Sequence, residues 1–309
     1  MPNDTTLKKI MAISPHVEMV IRRLYRSGLF HSILPAGVGK TKGKKLVGLV
    51  DFEKIIHYLK RIGISQGDIL IVHSAYKPLK ATGLNPQEII NSLLKLIGPT
   101  GTLVMPVIRH YDYSNDNAII EYDLQKTKIW TGALPIALMT MEGSVTSRFP
   151  LNPITAHGEH AKSMIQYELD ESLPAPNGKN SAWYYCLTMN AKVISLGTDL
   201  THSLTMIHTA EDSQQDKWPI SNWYVKRKFK IKDNDFELDK EVLERDPKWG
   251  MLHFAERTLC KDLIKSGIMK TEIIEGVIIE SLESGKLIKY LNKRNHKGYP
   301  YFWIKKHLK

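Results

Sequence analysis

Seven residues, Thr205-Met-Ile-His208-Thr-Ala-Glu211, carry the sharpest chemical pattern in this 309-residue chain. On a helix, His208 and Glu211 lie three positions apart on one face, within reach of a carboxylate–imidazole contact. Such a contact fixes the ring tautomer and favours the protonated ring, which suits a general base. Thr205 falls three residues earlier on the same side. The same residue pair also occurs as an ordinary surface or core contact. A metal site would be a rival use of these residues with His202 and Asp212, but no third ligand stands at a convincing spacing, and no metal is expected.

A second polar cluster, His73-Ser74-Ala75-Tyr76-Lys77, follows an apolar run. No Gly-x-Ser-x-Gly elbow surrounds Ser74, so a nucleophile is disfavoured. A loop in this place offers backbone N–H groups to the amides or phosphates of a ligand, or simply caps a strand. Gly39-Lys40-Thr41 imitates the end of a phosphate-binding loop. Leu34 stands where that motif needs its first glycine, and no such loop is expected.

Both clusters depend on buried strands to position them. Asp51 caps a predicted helix from Phe52 to about Ile62, and Ile69–Val72 then reads as a buried strand of parallel type. Asn85 and Pro86 open a helix bearing Ile89, Ile90, Leu93, Leu94 and Ile97, and Thr102–Val107 is a second buried strand. This βαβ succession predicts an α/β fold with a parallel or mixed sheet. A third strand, Lys192–Leu196, ends at Gly197 and leads through a loop to His208. Ligands of open α/β sheets gather at the carboxyl ends of strands, where both clusters fall. Helices are further predicted over residues 8–30, His160–Glu168, His253–Ser266 and Thr271–Ser284, a strand over Val225–Ile231, and a loop over 109–130.

The bulk numbers agree with an enzyme-sized globular protein, 42% hydrophobic and 24% charged. Two cysteines, Cys186 and Cys260, are too few for a disulfide framework and read as buried small hydrophobes. No signal sequence or membrane-length apolar run is seen, so a cytoplasmic location is expected. The formal net charge is +11, with much of the excess in Lys226–Lys232 and Lys286–Lys309. A basic surface attracts anions, and a phosphorylated cofactor would fit. Without a recognisable nucleic-acid motif, no nucleic-acid partner is expected.

The same stretches resemble a known family. Ser65-Gln-Gly-Asp68-Ile-Leu-Ile-Val-His73-Ser74 is similar to its strand ending in Val-His-Ser-Ser, and Gly98-Pro-Thr-Gly101-Thr-Leu-Val-Met105-Pro106 to its next signature. Thr131-Gly132-Ala-Leu134-Pro135, Asn177-Gly178-Lys-Asn-Ser181 and Thr205–Glu211 follow in the family's order, over roughly residues 50–215. The family is that of the aminoglycoside 3-N-acetyltransferases and relatives acting on other amines. The resemblance implies a three-layer α/β sandwich with a central mixed, largely parallel sheet, distinct from the GNAT acetyltransferase fold. The chain shows no repeats and no domain boundary, so one acyltransferase domain over 1–309 is expected, with 1–48 as a helical extension and 220–309 as a basic elaboration. The resemblance further implies direct transfer of an acetyl group from acetyl-CoA to a primary amine, without metal. His208 would be the general base, Glu211 its support, and Thr205 would face the thioester. His73, Ser74, Ala75, Tyr76 and Lys77 would border the cofactor, while Gly178, Asn180, Ser181 and Phe149 would meet the acceptor. A homodimer is left open.

Some positions depart from the family pattern. Thr146, Phe149 and Pro153 stand where an Arg-Ser-x-His-Pro block and a following serine are usual, and Thr201-His202 where a glycine-flanked aspartate is usual. His157 and His160 are near, without a spacing that shows compensation. The basic chain, with few acids over Gly143–His160, points away from a polycationic aminoglycoside. An amino sugar, on a nucleotide or within a surface polysaccharide, is the expected acceptor. The alternatives are an aminoglycoside-modifying resistance enzyme and a catalytically altered binding or regulatory protein.

Overall fold

The computed structural model describes residues 6–26, 49–111, 113, 118–201, 203–214, 217–218, 220–252 and 254–295. The Gly39-Lys40-Thr41 and His202 expectations lie outside this set. The strands are β1 (Ile69–Ser74), β2 (Thr102–Pro106), β3 (Ile120–Asp123), β4 (Val145–Thr146), β5 (Ile154–Gly158), β6 (Lys192–Leu196), β7 (Tyr224–Asp233), β8 (Phe236–Arg245), β9 (Lys270–Ile274) and β10 (Val277–Glu283). Seven of them form a mixed sheet in the order β4-β5-β2-β1-β6-β10-β9. Its centre is parallel, with β1 flanked by β2 and β6, while both wings are antiparallel.

Alternation along β1 shows why this sheet carries helices on both faces. Ile69 and Ile71 enter one apolar cluster, with Trp183, Trp218, Trp249 and Leu259. Leu70 and Val72 enter the other, with Ile55, Leu59, Ile89, Leu93 and Leu134. A strand buried on both sides must be apolar throughout, as its sequence is. The helix Pro86–Ile97 starts on a capping box in which Asn85 Oδ1 accepts from Glu88 N at 3.0 Å and Glu88 Oε2 accepts from Asn85 N at 2.7 Å. The layered α/β sandwich follows from these two covered faces.

Three expectations need correction. Thr271–Ser284 is not a helix but most of the β9–β10 hairpin. Its turn residues Glu275 and Gly276 have φ of 51° and 82°, the left-handed pair a two-residue hairpin requires, between β-branched residues that favour strands. Part of the supposed C-terminal elaboration therefore belongs to the central sheet, because β10 pairs with β6. Residues 109–130 hold β3, which pairs in parallel with β7. Buried Arg109 pins the surrounding loop, donating to Thr127 O at 2.6 Å and Leu124 O at 3.2 Å. Finally, the N-terminal periodicity resolves into two helices, Thr6–Met11 and Pro15–Arg26. The second docks through buried Glu18, which accepts from Arg257 N at 3.0 Å and Thr258 N at 2.8 Å in the first turn of the helix Glu256–Lys265.

A smaller sheet, β3-β7-β8, lies apart in hydrogen bonding from the large one. The basic run in β7 is a ladder of alternating sign: Lys226 pairs with Glu241, Arg227 with Glu244, Lys230 with Glu237 and Lys232 with Glu121. Exposed pairs of this kind add little stability, but they mask the local positive charge. Residues 27–48 and 296–309 carry four lysines each and no carboxylate, so eight lysines lie outside the described residues.

Candidate active site

His208 begins a short helix, His208–Asp212, entered through the single 3-10 turn Thr205–Ile207. Met206, Ile207 and Ala210 anchor this turn in the apolar cluster on one face of the large sheet. His208 Nδ1 lies 3.0 Å from Glu211 Oε2, as the three-residue spacing predicts. The imidazole side chain is 20% exposed and the carboxylate 5%. One ring nitrogen is thus engaged by the carboxylate.

The next residue, Asp212, builds the floor. Its Oδ1 accepts from the Tyr224 hydroxyl at 2.7 Å and its Oδ2 from Asn177 N at 2.9 Å. Burial pushes its carboxyl up from 3.8 to about 6, against the hydrogen bond from Tyr224. Asn177 in turn accepts from Asn152 Nδ2 at 2.8 Å and donates to Thr205 O at 3.4 Å. The loop at Gly178 is thereby tied to the His208 helix. Ser181 is committed locally: it caps the helix Ala182–Thr188, accepting from Tyr184 N at 3.1 Å and donating to Gly178 O at 2.7 Å. Asn180 is exposed. Thr205 Oγ1 reaches Ser203 O at 3.3 Å.

The second cluster leaves the same edge of the sheet. β1 and β6 are parallel neighbours with Ser74 opposite Leu196, and Ala75 N donates to Leu196 O at 2.9 Å. Gly197 is required here. Its φ is +74°, and a Cβ would sit 2.8 Å from Ala75 O. We expect Gly197→Ala to cost about 1–3 kcal/mol of stability, read as a lower Tm. Gly267→Ala, with φ +72° but open space around it, separates backbone strain from this clash. Ser74, Ala75 and Tyr76 are half-buried and Lys77 is exposed, so the loop can present backbone and one cation to a ligand. His73, expected to border the cofactor, lies in β1 as a buried residue. It is 4% exposed, its Nε2 has no partner among the described residues, and burial drives its ring down to about 4, so it is neutral. Among the described residues, no hydrogen bond joins Ser74–Lys77 to the His208–Glu211 pair.

Phe149, expected at the acceptor, is buried instead. It is 4% exposed and packs with Tyr122, Phe229, Ile231 and Val242 under the small sheet. Buried Glu168 fixes its loop, accepting from Ser147 Oγ at 2.7 Å, Arg148 N at 2.5 Å and Phe149 N at 3.0 Å; burial raises that carboxyl to about 7. His157 lies 3.2 Å from Ser144 Oγ and His160 3.0 Å from the Tyr185 hydroxyl, and neither hydrogen-bonds to His208 or Glu211 among the described residues. No cluster of three or more metal-binding side chains occurs among the described residues, and no helix there is long and apolar enough to cross a membrane.

One neighbour of the His208–Glu211 pair escaped the sequence. Arg245, the last residue of β8, places Nη1 3.3 Å from His208 Nδ1 and 3.6 Å from Glu211 Oε1. It is 37 residues from His208, and only the pairing of β7 with β8 brings it there.

Comparison with known proteins agrees with this architecture. Residues 71–279 match the family model of aminoglycoside 3-N-acetyltransferases. Aminoglycoside N(3)-acetyltransferase IX of Micromonospora chalcea is 27% identical over 180 residues, covering 53% of this chain and 62% of the relative. The chain thus spans less than two thirds of that curated relative's length. Among solved structures, AAC-IIIb in a binary complex with CoASH superposes with a TM-score of 0.67 at 18% identity, covering 81% of this chain and 97% of that one. AAC-VIa bound to sisomicin gives 0.65 at 16% identity, covering 80% and 98%. These structural likenesses establish a shared fold of the non-GNAT kind. With the family model matched over most of its length, the chain belongs to the aminoglycoside 3-N-acetyltransferase family.

Proposed function

We propose that this protein transfers an acetyl group from acetyl-CoA to the primary amine of a small acceptor, with His208 as general base. The observation that carries this is the 3.0 Å contact between His208 Nδ1 and Glu211 Oε2, which commits Nδ1 and leaves Nε2 to take a proton. The neutral acceptor amine attacks the thioester carbonyl while its proton passes to Nε2. A C–N bond forms, the C–S bond breaks, and its electron pair leaves with the CoA sulfur, which the same proton can neutralise. Donors near the carbonyl oxygen would stabilise the developing negative charge, and Thr205 is assigned to that side. The half-buried Ser74–Tyr76 segment and exposed Lys77 suit the amide-bearing arm and phosphates of CoA. A protein that binds acetyl-CoA only when folded gains about 2.7 kcal/mol at 100 times Kd. Saturating acetyl-CoA should therefore raise Tm by several degrees, and a free thiol should appear with a productive amine. No shift and no thiol with any amine would refute the proposal.

The acceptor is an amino sugar or related neutral or anionic amine. Near His208 the most accessible charge is the Arg245 guanidinium, 24% exposed, while the Glu211 side chain is 5% and Asp212 3% exposed. A polycation would meet a cation first. The second reading, an aminoglycoside acceptor, rests on family membership and on the sisomicin-bound relative. Competing an amino sugar, an amino-sugar nucleotide and sisomicin in the thiol assay separates the two.

A further inference from the structure

Arg245 is held in place by independent features of the fold. In the β7–β8 ladder it lies opposite Tyr224, whose hydroxyl donates to Asp212, the neighbour of Glu211. Gly250 makes room for it: a Cβ there would stand 2.9 Å from Arg245 Nη2. The small sheet therefore delivers a guanidinium to a histidine–carboxylate pair carried by the large sheet's loops.

The three groups compete for one nitrogen. His208 Nδ1 has a single in-plane hydrogen-bonding position, so it either donates to Glu211 or accepts from Arg245. Donation leaves Nε2 unprotonated and basic. Acceptance from Arg245 puts the ring proton on Nε2 and abolishes the base. Glu211 wins this contest only while its carboxylate is turned toward the ring. Arg245, 3.6 Å from its second oxygen, holds the carboxylate in that turn.

We propose that Arg245 is a positioning residue: it holds the Glu211 carboxylate oriented so that His208 rests as the Nδ1–H tautomer with Nε2 free to accept a proton. This rests on His208 serving as the base of acetyl transfer. The charged and titratable groups around the ring are Glu211, Arg245, the buried Asp212 and Tyr224.

The test compares Arg245→Met and Arg245→Lys with the wild type in acetyl-CoA turnover across pH, alongside Tm. Groups that orient metal-bound histidines are worth about 10- to 100-fold, and a comparable loss is expected for a group that orients the partner of a catalytic histidine. We expect kcat to fall by about that factor in Arg245→Met, KM for acetyl-CoA to hold, the acid limb of the pH profile to move, and Arg245→Lys to recover part of kcat. A lower kcat with an unmoved pH profile, or an unchanged kcat, overturns the inference. Should the wild type acetylate no amine, the acetyl-transfer proposal itself fails. Imidazole 15N spectra of His208 then still decide the role of Arg245: a single Nδ1–H form in the wild type and a mixture in Arg245→Met support it, and identical spectra reject it.

Discussion

Replacing His208 with alanine should lower acetyl transfer by about two to four orders of magnitude, the usual worth of a positioned general base. At neutral pH the acceptor amine is mostly protonated and unreactive, so its productive encounter with the thioester needs a group that accepts the departing proton. His208 Nε2 is the candidate, because Nδ1 is bound to Glu211. The fold should survive. The side chain is partly exposed, and Glu211 keeps Arg245 beside its other oxygen when the ring is gone. Tm and the stabilisation by acetyl-CoA should therefore remain near wild type while turnover collapses. Glu211→Gln should be milder, since an amide oxygen can still accept from Nδ1 but cannot stabilise an imidazolium by charge. Full activity in His208→Ala would end the general-base assignment, and joint loss of activity and acetyl-CoA stabilisation would make the effect one of folding or binding.

What the sequence made legible was local. Asp51, Asn85 and Pro86 announce helix starts by chemistry that acts within a few residues, and the structure has helices there. Ile69–Val72 is apolar at every position because both faces are covered, and it lies at the centre of the sheet. The His208–Glu211 contact is an i,i+3 relation and needs only one helical turn. The failures are non-local or depend on a turn. Ile273, Ile274, Val277 and Ile278 satisfy a helical period as readily as a strand period, and the left-handed pair Glu275-Gly276 decides for the hairpin. Phe149 reads as an acceptor contact, but its burial follows from a second sheet whose assembly no spacing reveals. Arg245 belongs to the same class. The signal that could have found it is the alternation of β7 and β8 about Asp233–Phe236, which sets the register and puts Arg245 opposite Tyr224.

Asp212→Ala should be among the most damaging changes near the site, costing about 2–5 kcal/mol. The side chain joins three segments: the His208 helix, the loop at Asn177 and strand β7. Removing it strands the Asn177 N–H and the Tyr224 hydroxyl in a buried setting, and each orphaned group costs about 1–3 kcal/mol. The effect should also depend on pH. Burial raises the carboxyl of Asp212 from 3.8 to about 6, so between these values the folded state binds more protons than the unfolded one. Its contribution is then fullest below the unfolded value and declines as pH rises through about 6, by on the order of 3 kcal/mol. Asp212→Asn keeps one acceptor and does not titrate. Glu168, also raised by burial, is present in both proteins and cancels from their difference. In urea unfolding, the stability advantage of wild type over Asp212→Asn should be larger near about pH 4 than near about pH 8. A gap that widens with pH would mean that Asp212 is held as a stabilised anion, and its place in the floor of the site would have to be argued from charge rather than from hydrogen bonding.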